Sequence, residues 1–390
     1  MIGFDLTKEQ KALQEKARRF AREVILPVAA KHDREGTFPI DVMEKAHQQG
    51  FFTPLVPKYY GGLGLGVLDN CIMAEELAAG CMGMYVSIFV STLALYPIVR
   101  FGTEEQKERF LKPFCSKFSM ASYCLSEVTV GSDPASMRTA ATLEGDHFVL
   151  NGAKMWITNG GYADFYVVFA QTDPQKRHKG IICLIVPNHL DGIRRGEPIE
   201  KMGQRASNTV PVIFKNVRVP KENLLGGEED GFKKAMAALD ITRPMIAIGA
   251  VGIARMAMEL AARYALKRVQ FGVPIARHEA IQFMLADMAK EIEAARLLVY
   301  KAAWLADQGI RNSKEASIAK AFAADMAVRV TTDAVQIYGG MGYTKWHPVE
   351  KLMRDAKVIQ IYEGTAQIQR IVIARQLLRE LEKATPEKKA

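Results

Sequence analysis

With 390 residues, 49% of them hydrophobic and 24% charged, the chain is long enough for two or three domains with sizeable cores. Its net charge of +9, from 52 Lys and Arg against 43 Asp and Glu, favours anionic partners, but the charges are interspersed. The nearest approaches to a basic run, Gln175-Lys176-Arg177-His178-Lys179 and the tail Glu387-Lys388-Lys389, read as a polar loop and a frayed end, so nucleic acid is not an expected partner.

Thr7-Lys8-Glu9-Gln10 has the form of a capping box, and Leu13, Ala17, Phe20 and Val24 follow at helical spacing, which predicts a first helix. A second helix is expected over 39–49. The glycine-rich stretch 61–66 has no strand before it and helices on either side, so it reads as a turn and not a dinucleotide loop. From 67 to 111 the pattern stays helical, with another capping box at Thr103-Glu104-Glu105-Gln106. The five cysteines, Cys71, Cys81, Cys115, Cys124 and Cys183, lack CxxC or Cys/His spacing, so neither a disulfide framework nor a metal site is expected. No charged leader and no run of about 18 uncharged apolar residues is read, which predicts no membrane span. The expected compartment is the cytoplasm, or the mitochondrial matrix if a leader has been removed.

Short β-branched and aromatic runs then follow at 120–125, 138–143, 147–151, 165–171, 181–187 and 209–218, separated by Gly, Asp and Asn turns. They predict a small antiparallel β-barrel or sandwich. After Gly231 helical periodicity returns over 232–239, 245–269, 280–308 and 317–338, enough for a C-terminal four-helix bundle. The fold class is therefore α+β multidomain, in three blocks: an all-α domain (1–117), a β domain (118–232) and a helical bundle (233–390).

Ile361-Tyr362-Glu363-Gly364-Thr365-Ala366-Gln367 lies where one amphipathic helix stops and another starts. A carboxylate there is either a cap or, if apolar groups desolvate it, a general base with a raised pKa.

Several separated motifs now stand in order: Tyr123-Cys124-Leu125-Ser126-Glu127 with Gly131-Ser132-Asp133, Lys154-Met155-Trp156-Ile157-Thr158-Asn159-Gly160, Arg268-Val269-Gln270-Phe271-Gly272, and Ile361-Tyr362-Glu363-Gly364-Thr365. Together they closely resemble the acyl-CoA dehydrogenase family of flavoproteins, nearest in motif pattern to its short- and medium-chain branch, and the resemblance runs from the first helix to about Glu382.

The resemblance implies FAD as cofactor and an oxidoreductase acting on CH–CH bonds in fatty acid or carboxylic acid degradation. An acyl-CoA thioester would be the substrate and an electron-transferring flavoprotein the partner. It implies a homo-oligomer, a tetramer built as a dimer of dimers. Glu363 would take the substrate α-proton while the β-hydrogen leaves as hydride, and its own backbone N–H would help stabilise the enolate oxygen. Tyr362 would wall the acyl pocket, with Gly364 beside it.

For the cofactor, Trp156 would stack on the flavin and Thr158 would hydrogen-bond N5. Tyr123, Leu125, Ser126, Gly131 and Ser132 would line its pyrimidine and phosphate side. Arg268, Gln270, Phe271, Gln336 and Gly340 would come from a neighbouring subunit, with Thr365 and Gln367 from the subunit of Glu363. Ser132, Asp240, Arg243 and Arg375 would meet the CoA portion of the substrate.

Thr242 stands where another branch of the family places its base, so Glu363 is the single candidate. Met84 stands where a dicarboxylate-specific branch carries arginine, which argues against a dicarboxylic acyl group. Val128-Thr129-Val130 replaces the family's Pro-Gly-Ala and leaves that loop's shape open. The alternatives are an acyl-CoA-binding flavoprotein with oxidase or non-oxidative chemistry, and a DNA-associated relative.

Overall fold

The computed structural model describes residues 5–384, and the tail Glu387-Lys388-Lys389 lies outside them. In α1 (Lys8–Phe20) the Gln10 N–H donates to the Thr7 hydroxyl while the Thr7 N–H donates to the Gln10 side chain, the reciprocal cap read from the sequence. The helix then goes further than its periodicity indicated. A π turn (Ala21–Ile25) carries it into α2 (Leu26–Glu35), the wider turn ending two residues before Pro27, whose missing N–H an α ladder would need.

Next come α3 (Ile40–Gln48), α4 (Val67–Gly80), α5 (Met82–Phe101) and α6 (Glu104–Ser116), the last started by the Thr103–Gln106 box. A short 3-10 turn (Lys58–Tyr60) and α4 flank the glycine-rich stretch, so no strand precedes it. By length and composition α5 is apolar enough to cross a membrane, which corrects the sequence reading of that stretch. Its most apolar window is 89% buried inside the protein, as in a core helix.

Seven strands form one sheet: β1 (Ala121–Cys124), β2 (Ala140–Glu144), β3 (His147–Thr158), β4 (Phe165–Gln171), β5 (Ile181–Pro187), β6 (Ile193–Arg195) and β7 (Thr209–Pro220). Their order is β1-β4-β2-β3-β7-β6, with β5 also on β4. The purely antiparallel expectation needs correction, because β1 and β2 both run parallel to β4. Alternating hydrophobicity marks a strand and its buried face but carries no information about the direction of its neighbour. β3 reaches seven residues past the predicted run, and β6 was not predicted.

The helices that follow are α7 (Gly231–Lys267), α8 (Glu279–Asp307), α9 (Ser313–Tyr338), α10 (Val349–Lys357) and α11 (Ala366–Ala384), with a hairpin of β8 (Val269–Gln270) and β9 (Val273–Pro274) between α7 and α8. The two helices read on either side of 240–244 are one, running through Pro244.

Contacts divide the described residues into two compact units: 5–30, 67–82 and 240–384 form one, 31–66 and 83–239 the other.

In the first unit α7 approaches α4 so closely that a Cβ on Gly252 would lie 2.3 Å from the Glu75 carbonyl oxygen. Three arginines offset the burial of two α4 carboxylates. Glu75 receives Arg255 at 2.8 Å and two nitrogens of Arg296 at 3.0 Å, and Glu76 receives Arg18 at 2.8 Å and Arg255 at 2.9 Å. These pairs tie α4 to α1, α7 and α8.

In the second unit β4 and β5 are buried at every residue, and Phe148, Leu150, Tyr166, Val168 and Phe214 fill the sheet's core. The sheet holds α5 by polar contacts: the Ala121 N–H donates to the Ser91 hydroxyl at 3.3 Å, and the Asn159 amide donates to the Ser87 carbonyl at 2.7 Å.

Candidate active site

In the first unit, Val358–Gln360 forms a 3-10 turn after α10, and the chain then reverses before α11. Two consecutive residues make the reversal with left-handed backbone, Glu363 at φ +56° and Gly364 at φ +84°. For Glu363 this conformation is strained. Gly364 is favoured by its φ, and a Cβ there would sit 2.5 Å from Gln369 Nε2, so that side chain would have to shift. The Thr365 hydroxyl accepts from the Ile368 N–H at 3.1 Å and starts α11.

Side chains from three helices hold this turn. Gln369 Nε2 donates to the carbonyls of Glu363 and Gly364, both at 3.0 Å, Arg243 Nε to the Glu363 carbonyl at 3.4 Å, and Lys320 Nζ to the Gly364 carbonyl at 2.5 Å. The backbone N–H of Glu363 has no acceptor among the described residues.

Thr242 Oγ1, fully buried, donates to Glu363 Oε2 at 3.4 Å. Burial pushes the Glu363 carboxyl up to about 7, against the opposing pull of Arg243, Lys320 and the Thr242 hydroxyl. Asp240 engages Arg243 at 2.5 Å and also accepts from the Ser313 hydroxyl. Glu363, Gly364, Asp240 and Arg243 are thus brought together, with Arg243 buried beside the carboxylate turn. Arg375, on α11, is exposed.

In the second unit the Lys154–Gly160 motif is built on a β-bulge. The pairing of β3 with β7 shifts register between Lys154 and Ile157, and Trp156 takes φ +64°. The bulge turns the indole outward, 56% exposed, while Ile157 beside it is buried. Below it Lys154, fully buried, donates to Glu127 Oε1 at 2.9 Å and to the Leu125 carbonyl at 3.1 Å.

The Met155 N–H donates to the Ser126 carbonyl at 2.9 Å, and the Ser122 hydroxyl to the Thr158 carbonyl at 2.8 Å. These bonds gather Tyr123, Leu125, Ser126, Trp156 and Thr158. No hydrogen bond engages the Thr158 hydroxyl among the described residues, so an exposed indole and an available hydroxyl stand on one strand end, suited to a flat aromatic ligand with polar edges. Glu127 and Val130 close the loop carrying Val128-Thr129-Val130 by exchanging both backbone hydrogen bonds, at 2.9 and 3.1 Å, and Val130 is buried. Gly131 and Ser132 follow it, exposed.

Of the remaining candidates, Arg268, Gln270 and Phe271 lie on the β8–β9 hairpin, Gln336 and Gly340 at the end of α9, and Gln367 in the first turn of α11, all exposed. Phe271, 93% exposed, and Gly272 form the hairpin tip with φ of +54° and +76°.

Sequence reasoning missed Lys320, Gln369 and the Lys154–Glu127 pair. The available signals were a lysine inside the apolar run Ile318-Ala319-Lys320-Ala321-Phe322 and a carboxylate that ends one motif with a lysine that opens the next, Glu127 and Lys154.

Three family models match in succession: the N-terminal domain of acyl-CoA dehydrogenase over 7–117, the middle domain over 122–217 and the C-terminal domain over 229–378. A probable medium-chain specific acyl-CoA dehydrogenase 2, mitochondrial, of Caenorhabditis briggsae is 42% identical over 97% of this chain and 92% of its own. Among solved structures, butyryl-CoA dehydrogenase from Megasphaera elsdenii superposes with a TM-score of 0.95 at 41% identity, covering 97% of this chain and all 100% of its own. A chain from work on the electron transferring flavoprotein of Acidaminococcus fermentans and flavin-based electron bifurcation does so at 0.95 and 44%, with coverage of 97% and 100%. Matched along nearly its whole length, the chain belongs to the acyl-CoA dehydrogenases, a family of FAD flavoprotein oxidoreductases.

Proposed function

We propose that this protein oxidises an acyl-CoA thioester to the 2-enoyl-CoA, with Glu363 as the base that removes the α-proton. One observation carries the reading: a carboxyl on a strained, triply held turn, raised to about 7 by burial. A general base works best when its pKa lies near the operating pH, and an unburied glutamate at 4.5 would be the weaker base. The unpartnered Glu363 N–H supports a second role, donation to the thioester oxygen as charge develops there.

FAD, when bound, supplies the two-electron acceptor for the β-hydrogen. Trp156 and Thr158 would hold its ring, with Tyr123, Leu125, Ser126, Gly131 and Ser132 beside them and Thr365 and Gln367 contributing from α11. Arg268, Gln270, Phe271, Gln336 and Gly340 would serve the FAD of a second copy, in a homo-oligomer proposed to be a tetramer. Exposed Phe271, Phe283, Tyr343, Trp346 and Leu378 support such an assembly. Asp240, Arg243, Ser132, Tyr362, Gly364 and Arg375 are the proposed substrate contacts.

The acyl group is proposed to be short or medium, on the strength of the butyryl-CoA and medium-chain relatives. An electron-transferring flavoprotein is the proposed acceptor, the Acidaminococcus likeness supporting it. The proposed compartment is the cytoplasm, or the mitochondrial matrix for a form whose leader has been removed.

Anaerobic mixing with a panel of straight, branched, cyclic and aromatic acyl-CoAs tests the reading: flavin absorbance should bleach with at least one. Glu363→Gln retaining full turnover would sink the assignment of the base.

A further inference from the structure

Lys320 lies on α9, 43 residues before Glu363, and none of its surface is exposed. Its ammonium nitrogen makes one hydrogen bond among the described residues, to the carbonyl of Gly364 at 2.5 Å. Burying an ammonium against a single neutral acceptor is unfavourable for folding, and an apolar side chain of similar length would pack there more cheaply. The acceptor is the second of the two left-handed residues that shape the base's turn. Gln369 bonds the same carbonyl and that of Glu363, and Arg243 bonds the latter, so both carbonyls of the strained pair point inward onto fixed donors.

The geometry points to Lys320 as a positioning residue for the dehydrogenation: its buried ammonium holds the Gly364 carbonyl and thereby fixes the Glu363 turn in the left-handed form that presents the carboxylate. This rests on the proposed role of Glu363.

The charge has a second effect. Lys320 favours the ionised carboxylate of Glu363 and is itself lowered to about 7, burial being the main cause, with Glu363 and Asp325 opposing it and Arg243 adding to it. The charged groups around the turn are therefore Asp240 and Arg243 from α7 and Lys320 and Asp325 from α9.

The test compares Lys320→Met and Lys320→Arg with wild type and Glu363→Gln in the FAD-loaded enzyme, using the acyl-CoA that wild type turns over best. Lys320→Met should lose about 100-fold in kcat with KM changed by less than about threefold. The acid limb of its pH profile should move to higher pH, with no fall in thermal midpoint. Lys320→Arg, which keeps charge and donor, should recover part of kcat and the original limb. If the methionine variant does not fold, Lys320→Gln takes its place.

Unchanged kcat and an unmoved acid limb, with Glu363→Gln inactive, would overturn the role of Lys320 while leaving the dehydrogenase reading intact. If wild type turns over no acyl-CoA, that reading has failed, and amide hydrogen exchange over 361–369 decides Lys320 by itself. Faster exchange in the variant, confined to that segment, supports the clamp, and identical exchange overturns it.

Discussion

Thr242 Oγ1 donates to Glu363 Oε2 across 3.4 Å, joining α7 to the turn before α11, 121 residues further along the chain. The hydroxyl is buried and favours the charged carboxylate, so it opposes the desolvation that raises Glu363. Thr242→Val keeps the shape and removes the donor. A hydrogen bond of this length should contribute about 1 kcal/mol or less. The acid limb of the kcat profile should therefore shift to higher pH by under about one unit, without loss of folding. Identical profiles for variant and wild type would remove Thr242 from the tuning of the base.

Glu363 also links folding to pH. Its folded pKa is raised from 4.5 to about 7, so the folded state binds the extra proton more tightly than the unfolded chain. The associated stability is fully present below pH 4.5 and is lost as pH rises toward about 7. Glu363→Gln never ionises, so above pH 7 it should be more stable than wild type by on the order of 1–3 kcal/mol, the difference vanishing near pH 4.5. Thermal unfolding across that pH range checks the sign. Activity runs the other way, because a base acts deprotonated: wild-type kcat should rise with pH through about 7.

Trp156 is exposed on its bulge, so Trp156→Ala should leave apoprotein stability within about 0.5 kcal/mol. Loss of one aromatic stacking partner, worth about 0.5–1.5 kcal/mol, should weaken FAD binding up to roughly tenfold. Fluorescence titration of the apoprotein measures this. Unaltered affinity would move the flavin away from Trp156.

The Lys154–Glu127 pair should matter for stability out of proportion to its size. Glu127 also accepts from the backbone N–H groups of Arg138 and Thr139, at 2.8 and 2.9 Å. Glu127→Ala would leave two backbone amides without their side-chain acceptor and the buried ammonium without its counter-charge, held by the Leu125 carbonyl, a loss of about 3–5 kcal/mol. Its thermal midpoint should fall sharply and show little dependence on salt, since buried pairs are poorly screened.

Local signals were legible where the chemistry is local. The capping boxes at Thr7 and Thr103 form as read, because both partners lie within three residues of each other. The ordered motifs identified the family and pointed to Glu363, and periodicity located nearly every helix. The bulge at Trp156 left no such trace, since it is set by the pairing of β3 with a strand some 50 residues further on. The parallel pairings of β4 were equally hidden, as was the unbroken run of α7 through Pro244.

The site divides in the same way. By itself the sequence determined which carboxylate was the candidate base and that it would sit at a helix junction. Only the tertiary structure decided its environment: Thr242 and Arg243 from α7, Lys320 from α9 and Gln369 from α11 converge on one strained turn. Desolvation and hydrogen bonding depend on what lies within a few ångströms in space, and those groups come from positions as much as 121 residues away in the chain.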